Sequence, residues 1–165
     1  MPKITPFLWF DHGKAEEAAT FYTSVFPDSR IVKITRSPAD NPSEKEGEVM
    51  TVDFTIGGRP FIGLNGGPDF KFTEAVSFWI DCEDQAEVDH YWDILTADGG
   101  EPSMCGWLKD RYGLSWQVVP RRLMEMYDSP DREGAKRAMD AMLKMRKLDL
   151  EVLEAAFNGA TVGAR

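Results

Sequence analysis

Apolar positions change spacing along the chain in a repeating way. Ile4–Phe10 is a short, mostly apolar run that reads as a strand, broken by Asp11-His12-Gly13. After it, Ala15, Ala18, Ala19, Tyr22, Val25 and Phe26 fall on one face at helical spacing, and Pro27-Asp28 ends that helix. Ser29–Arg36 reads as a second strand. Ser37–Gly47, with two prolines, Asn41 and alternating charges, reads as a mobile, solvated loop. Glu48–Ile56 and Arg59–Leu64 flank Gly57-Gly58, a hairpin signal because tight turns need positive φ.

The second half begins the same way. Glu74–Asp81 is an apolar strand, Asp84 and Glu87 form a capping-box pattern, and Val88, Tyr91, Trp92 and Leu95 make the buried stripe of a helix. Gly99-Gly100 is expected to close that helix with a left-handed cap. Strands follow at Cys105–Lys109 and Leu114–Val119, joined by Asp110–Gly113, with a weaker one at Glu101–Met104. A shift of about 70 positions lays Leu8-Trp9-Phe10-Asp11 on Phe78-Trp79-Ile80-Asp81 without a gap. In the same frame Glu17 meets Glu87, Phe21-Tyr22 meets Tyr91-Trp92, and Val25 meets Leu95. Each half therefore reads strand–helix–strand–strand–strand.

Beyond residue 120 the pattern is helical. Ser129-Pro130-Asp131 reads as a helix start with Pro in the first helical position. Ala135, Ala138, Met139, Met142 and Leu143 form one apolar face of a helix running to Lys147. Asp149 is expected to cap a last helix with Leu150, Leu153 and Phe157 inside, ended near Gly159.

Composition narrows the function classes. The 165 residues carry a formal charge of −9, which argues against a nucleic-acid partner, because phosphate binding needs a basic patch. No apolar run approaches the roughly 20 residues of a membrane span, and no secretion signal is visible. Two cysteines, Cys82 and Cys105, make no disulfide framework, so the expected setting is the cytoplasm. The two histidines, His12 and His90, stand in no His-x-x-x-His spacing and read first as surface or helix-flank residues. Cys105 reads as a small buried residue on a strand.

The stretches ITPFLWFD, AEEAATFYTSVFP, FIGLNGGPDFKFTEAVSFWIDCED, YWDILTADGGEPSMCGWLKDRYGLSWQVVP and AMLKMRKLDLEVLEAA resemble the PhnB-like branch of the vicinal-oxygen-chelate (glyoxalase/bleomycin-resistance/dioxygenase) superfamily. That branch often carries the label 3-demethylubiquinone-9 3-methyltransferase. The resemblance implies an α+β fold of two paired βαβββ modules whose sheets curl around a ligand cavity, commonly in a homodimer. It implies one glyoxalase-like domain over 1–120, with modules at about 1–67 and 68–120, followed by a helical extension over 121–165.

Metal-using members of the superfamily place His or Gln on the first strand of each module and Glu on the last. Carried over, the first-strand positions fall on Thr5 and Ala75, and the last-strand positions on Ile62 and Gln117. These residues cannot replace two imidazoles and two carboxylates, so no metal is expected. A glycine-rich strand-to-helix turn for adenosylmethionine is also missing, since Gly57-Gly58 and Gly66-Gly67 are adjacent glycines beside strands. No cofactor is expected.

What remains is a pocket. If Thr5 and Ala75 mark the ligand side, strand alternation puts Phe7, Trp9, Ser77 and Trp79 on it as well, with Ser115 and Gln117 on the matching face of the last strand. Asn65, Trp107 and the Arg111-Tyr112 pair stand near cavity or rim. Thr5, Phe7, Trp9, Asn65, Ser77, Trp79, Trp107 and Gln117 are the expected ligand-binding residues, and no catalytic residue is assigned. Aromatic walls with a few amides suit a small, flat, moderately polar metabolite, bound by a metal-free homodimer with neither nucleic acid nor membrane as partner. The alternative is an enzyme, an isomerase, lyase or transferase acting through Gln117, Arg111, Tyr112 or Cys105, the quinone-ring methyl transfer of the label included.

Overall fold

The structure, a computed structural model, describes residues 4–11 and 13–160, so the expectations for His12 and for the tail beyond 160 lie outside it. The chain divides into two compact units, Met1–Phe72 and Thr73–Arg165.

The first unit is a βαβββ module: β1 (Phe7–Phe10), α1 (Ala15–Val25), β2 (Arg30–Arg36), β3 (Val49–Ile56) and β4 (Arg59–Asn65). Its strands lie in the order β1-β4-β3-β2, with β1 parallel to β4 and the other pairs antiparallel. Alternation divides the sheet cleanly. Leu8 and Phe10 are buried, while Phe7 is 56% exposed. On the buried face Val52, Phe54 and Phe61 receive Ala15, Ala18, Ala19, Tyr22 and Val25 of α1, with Tyr22 stacked on Phe54 and Phe54 on Phe61. Each large apolar side chain removed from water here contributes about 1.5–3 kcal/mol.

Two expectations change in this unit. β1 begins at Phe7, because Pro6 has no N–H to pair; its carbonyl still accepts from Ile62 N at 3.0 Å. Thr5 thus precedes the strand. The 37–47 segment is a loop as expected, but one with bonds of its own and to its flanks. Asn41 Oδ1 accepts from Ser43 N and Glu44 N, Ser37 N donates to Glu48 O, and Ser43 Oγ donates to Gly66 O.

The second unit repeats the topology with β5 (Ser77–Cys82), α2 (Gln85–Thr96), β6 (Glu101–Pro102), β7 (Trp107–Lys109) and β8 (Ser115–Pro120), in the order β5-β8-β7-β6. The 70-residue displacement holds from Phe7/Ser77 to Ala15/Gln85. The α2 cap is as expected on one side: Asp84 accepts from Glu87 N at 2.9 Å. Glu87, however, reaches back to Glu83 N instead of the cap residue. The helix end differs from expectation. Ala97 leaves the helix in extended conformation, and the left-handed residues are Asp98 and Gly99 beyond it. The expected strand at Cys105 is instead a tight turn: Trp107 N donates to Met104 O across Cys105 and Gly106, both at positive φ. Gly106 is required there, since a Cβ would come 2.7 Å from Val118 O.

The extension continues this unit with three helices, α3 (Arg121–Asp128), α4 (Arg132–Met142) and α5 (Leu150–Phe157). Leu123, Met126, Ala138, Leu148 and Leu153 pack with Val119 into one buried cluster. Helix α3 was not anticipated, although Leu123, Met126 and Tyr127 stand at helical spacing after Pro120. Asp131, not Ser129, caps α4 by accepting from Gly134 N, so Pro130 lies outside the helix. That helix ends at Met142, and Met139 and Leu143 turn outward at 45% and 55% exposure. Asp149 caps α5 as expected, accepting from Val152 N at 3.0 Å. The 145–150 segment is tied to the second module. Cys105 N and Gly106 N donate to Met145 O and Arg146 O, and the Gln85 amide donates to Leu148 O and accepts from Leu150 N. Among the described residues no helix is long and apolar enough to cross a membrane.

Candidate functional site

Each sheet has one face against its helix, and the other face holds most of the expected site residues. In the second unit Trp116 and Val118 point to the α2 side, both buried. By alternation Ser115, Gln117 and Val119 point the other way. The ladder aligns them in rows: Trp79, Gln117 and Trp107 form one, and Ser77, Ser115 and Lys109 the next. Val119 belongs to the cluster formed with α3 and α5, so the extension covers one end of this face. At the other end Trp79 is 47% exposed, and Gln117 and Trp107 are half-buried. The Gln117 amide donates to Ser77 Oγ at 2.9 Å. Four expected residues, Ser77, Trp79, Trp107 and Gln117, therefore share one surface.

Beside this row lies a hollow of about 460 Å³, within the size range of small-molecule pockets, lined by second-unit residues alone. Trp107, Leu108 and Met104 supply apolar wall, and Ser115 lies at its base, 1% exposed. Ser115 Oγ has no hydrogen-bond partner among the described residues. Lys109 Nζ pairs with Glu74 at its edge; this bond holds the Glu74 carboxyl below its ordinary range and raises Lys109. Another hollow, between α2 and α5, is lined largely by acids and by Lys147, which is already paired with Asp89 and Asp93.

In the first unit Phe7 and Trp9 share the face away from α1, with Thr5 just before them. Trp9 is held by its own module. Its indole N–H donates to Gly67 O at 2.8 Å, its ring meets Phe70 edge-on, and a Cβ on Gly66 would come within 2.2 Å of it. Asn65 lies on the opposite face, beside Phe10, where it accepts from Ala15 N and donates to Val49 O. Both ends of its amide thus hold the start of α1 to the sheet.

The remaining candidates are engaged structurally. Arg111 pairs with Asp98 at 2.7 Å, and Tyr112 N donates to Asp110. Asp110, which sequence reasoning passed over as a turn residue, is 2% exposed. It accepts from Tyr112 N, Leu114 N and the Trp116 indole. Its signal was the acid at the start of a glycine-ended turn, a pattern that favours such local bonds. Cys82 is fully buried, and burial together with the charges of Glu87 and Asp81 pushes its thiol up to about 12, so it is no nucleophile.

The strand ladders also test the metal positions. Trp9 stands opposite Leu64 as Trp79 stands opposite Gln117, so the counterpart of Gln117 is Leu64 and not Ile62. Counting from the turn glycines misaligned the pair, because Gly57-Gly58 make a tight turn whereas the 110–114 turn is longer and organised by Asp110. Thr5, Ala75, Leu64 and Gln117 offer no imidazole or carboxylate, and this donor set does not fit a divalent ion. Among the described residues no group of three His, Cys, Asp or Glu is placed to hold one.

Comparison with known proteins gives a family. The model of the 3-demethylubiquinone-9 3-methyltransferase family matches residues 2–119. A solved structure described as a putative 3-demethylubiquinone-9 3-methyltransferase, PhnB protein, from Bacillus cereus is similar at 39% identity and TM-score 0.64, over 72% of this chain and 99% of that one. Protein PA1353 from Pseudomonas aeruginosa shares the fold at 19% identity and TM-score 0.59, over 73% of this chain and 98% of that one. FosX, a fosfomycin resistance protein from Listeria monocytogenes, matches more distantly, at 17% identity and TM-score 0.46, over 70% of this chain and 90% of that one. No curated protein matches the chain.

Proposed function

The chain belongs to the 3-demethylubiquinone-9 3-methyltransferase family, and we propose that within it this protein binds a small, flat, moderately polar metabolite without a divalent metal. The observation that carries this reading is the Trp79–Gln117–Trp107 row, in which an amide stands between two indoles on an open sheet face. Indole faces supply apolar contact, and Gln117 supplies both a donor and an acceptor. Ser77 orients that amide. Thr5, Phe7 and Trp9, on the corresponding face of the first sheet, are further ligand-binding candidates within their own module, and Asn65 is given a structural role instead. Residues 1–120 act as one ligand-binding domain, 121–165 as its extension, and the protein works as a homodimer.

Native mass spectrometry of the purified protein tests the reading through any molecule that co-purifies. Stoichiometric, tightly bound Zn, Ni, Mn or Fe in the same preparation would overturn it.

The family description favours a second reading, an enzyme of methyl transfer or related chemistry acting at the same row. Calorimetry with adenosylmethionine at millimolar concentration separates the two, since binding there supports the enzyme. Turnover lost in Gln117→Ala with the fold intact would also favour it.

A further inference from the structure

We infer that the hollow beside β7 receives the body of the ligand, and that it selects an uncharged or singly cationic flat molecule bearing one hydrogen-bonding group. The inference rests on the ligand-binding reading above and adds the chemical class.

Three features support it. Ser115 is 1% exposed, lines the hollow and leaves its hydroxyl without a partner among the described residues. A buried hydroxyl in that state is costly to keep, and a ligand group placed beside it removes the cost. The walls are apolar on the side of Met104, Trp107 and Leu108, which suits a ring. The charges are unequal: Glu74 and Glu101 both line the hollow against the single cation Lys109, already paired with Glu74. An anion would have to compete with Glu74 for Lys109 and would also meet Glu101, whose charge acts on the same lysine, inside a chain of net charge −9. A cation gains from the same carboxylates and from the Trp107 face.

The hollow is also preformed. The turn that makes its rim is closed by Trp107 N to Met104 O and Ser103 N to Trp107 O. It is anchored from behind, where Cys105 N and Gly106 N donate to Met145 O and Arg146 O. Little ordering remains for the ligand to impose.

Three probes with one ring system and different charge test this: 1-naphthylmethylamine, 1-naphthalenemethanol and 1-naphthoate. Each is titrated into the full chain at neutral pH and followed by amide chemical shifts and tryptophan fluorescence. The amine and the alcohol should bind, with naphthoate at least about tenfold weaker. Ser115→Ala should weaken the alcohol about tenfold, the size of one lost hydrogen bond, without lowering the melting temperature. Glu74→Gln, at an exposed side chain, should narrow the preference for amine over naphthoate several-fold. Naphthoate binding as tightly as the amine would overturn the inference, as would indifference to Ser115→Ala or no binding by any probe at millimolar concentration. Binding that falls in Gln117→Ala but not in Ser115→Ala removes this inference and leaves the wider reading standing. Probe binding at Ser115 in a protein that carries stoichiometric metal does the reverse.

Discussion

The two modules share one topology and are held together differently. In the first, α1 has no side-chain cap of its own, and its leading amide N–H is taken by Asn65, fifty residues away on β4. In the second, α2 is capped by its neighbour Asp84. The exposed sheet faces differ too. Trp9 is folded under its own 66–70 loop by a hydrogen bond and a ring contact, whereas Trp79, its counterpart, stays 47% exposed. A repeat thus preserves strand order while dividing the work: one module closes over its tryptophan, and the other leaves an indole–amide row and a hollow open. Helix capping, loop cover and turn chemistry can vary freely as long as the alternation of buried and open faces survives.

That contrast can be broken at several points. The largest effect is expected at Asp110, the organiser of the 110–114 turn. Asp110→Ala strands two backbone N–H groups and the Trp116 indole, and should lower the unfolding free energy in urea by about 3 kcal/mol. Gly66→Ala in the first module comes next. The new methyl would overlap the Trp9 indole, so a loss of about 2 kcal/mol is expected together with a changed Trp9 emission. A wild-type melting curve for that variant would show that Trp9 is not held by its loop.

The two helix caps give a direct comparison. Asn65→Ala loses one buried and one partly buried bond and should cost about 2 kcal/mol, against about 1 kcal/mol for Asp84→Ala. The reverse order would mean that the local cap matters more than the long-range one.

The smallest effect concerns the cysteines. At pH 8, Cys105 should alkylate readily and Cys82 only on unfolding, because one is partly exposed and the other fully buried. The Cys82 pKa is raised in the folded state, so the folded protein keeps that proton after the unfolded chain has lost it. The associated stability is complete below about 9, the ordinary thiol value, and is lost as pH rises towards about 12. A Cys82→Ala variant should show a flatter alkaline decline in melting temperature.

Much of this fold can be read from single residues and their near neighbours. Asp84 three positions before Glu87, Gly57-Gly58 between alternating runs, and Trp9 in frame with Trp79 all act through local geometry. They suffice to place two βαβββ modules and to separate Phe7 and Trp9 from Leu8 and Phe10. Other features were hidden. Asn65 reads as a residue of cavity or rim, since nothing nearby in sequence indicates that its partners are Ala15 and Val49. Cys105 looked like a strand residue because the Met104–Trp107 turn is stabilised from residues 145–146.

Periodicity along the chain was enough for the class of most elements, α3 and the turn at Cys105 apart, and for the 70-residue repeat, because alternation and helical spacing are properties of consecutive residues. Pairing register was decided only in three dimensions, and with it the match of Gln117 to Leu64, the row joining Trp79 to Trp107 and the unpartnered hydroxyl of Ser115. Strand register and hydrogen-bond partners depend on segments tens of residues apart, and no local spacing carries that information.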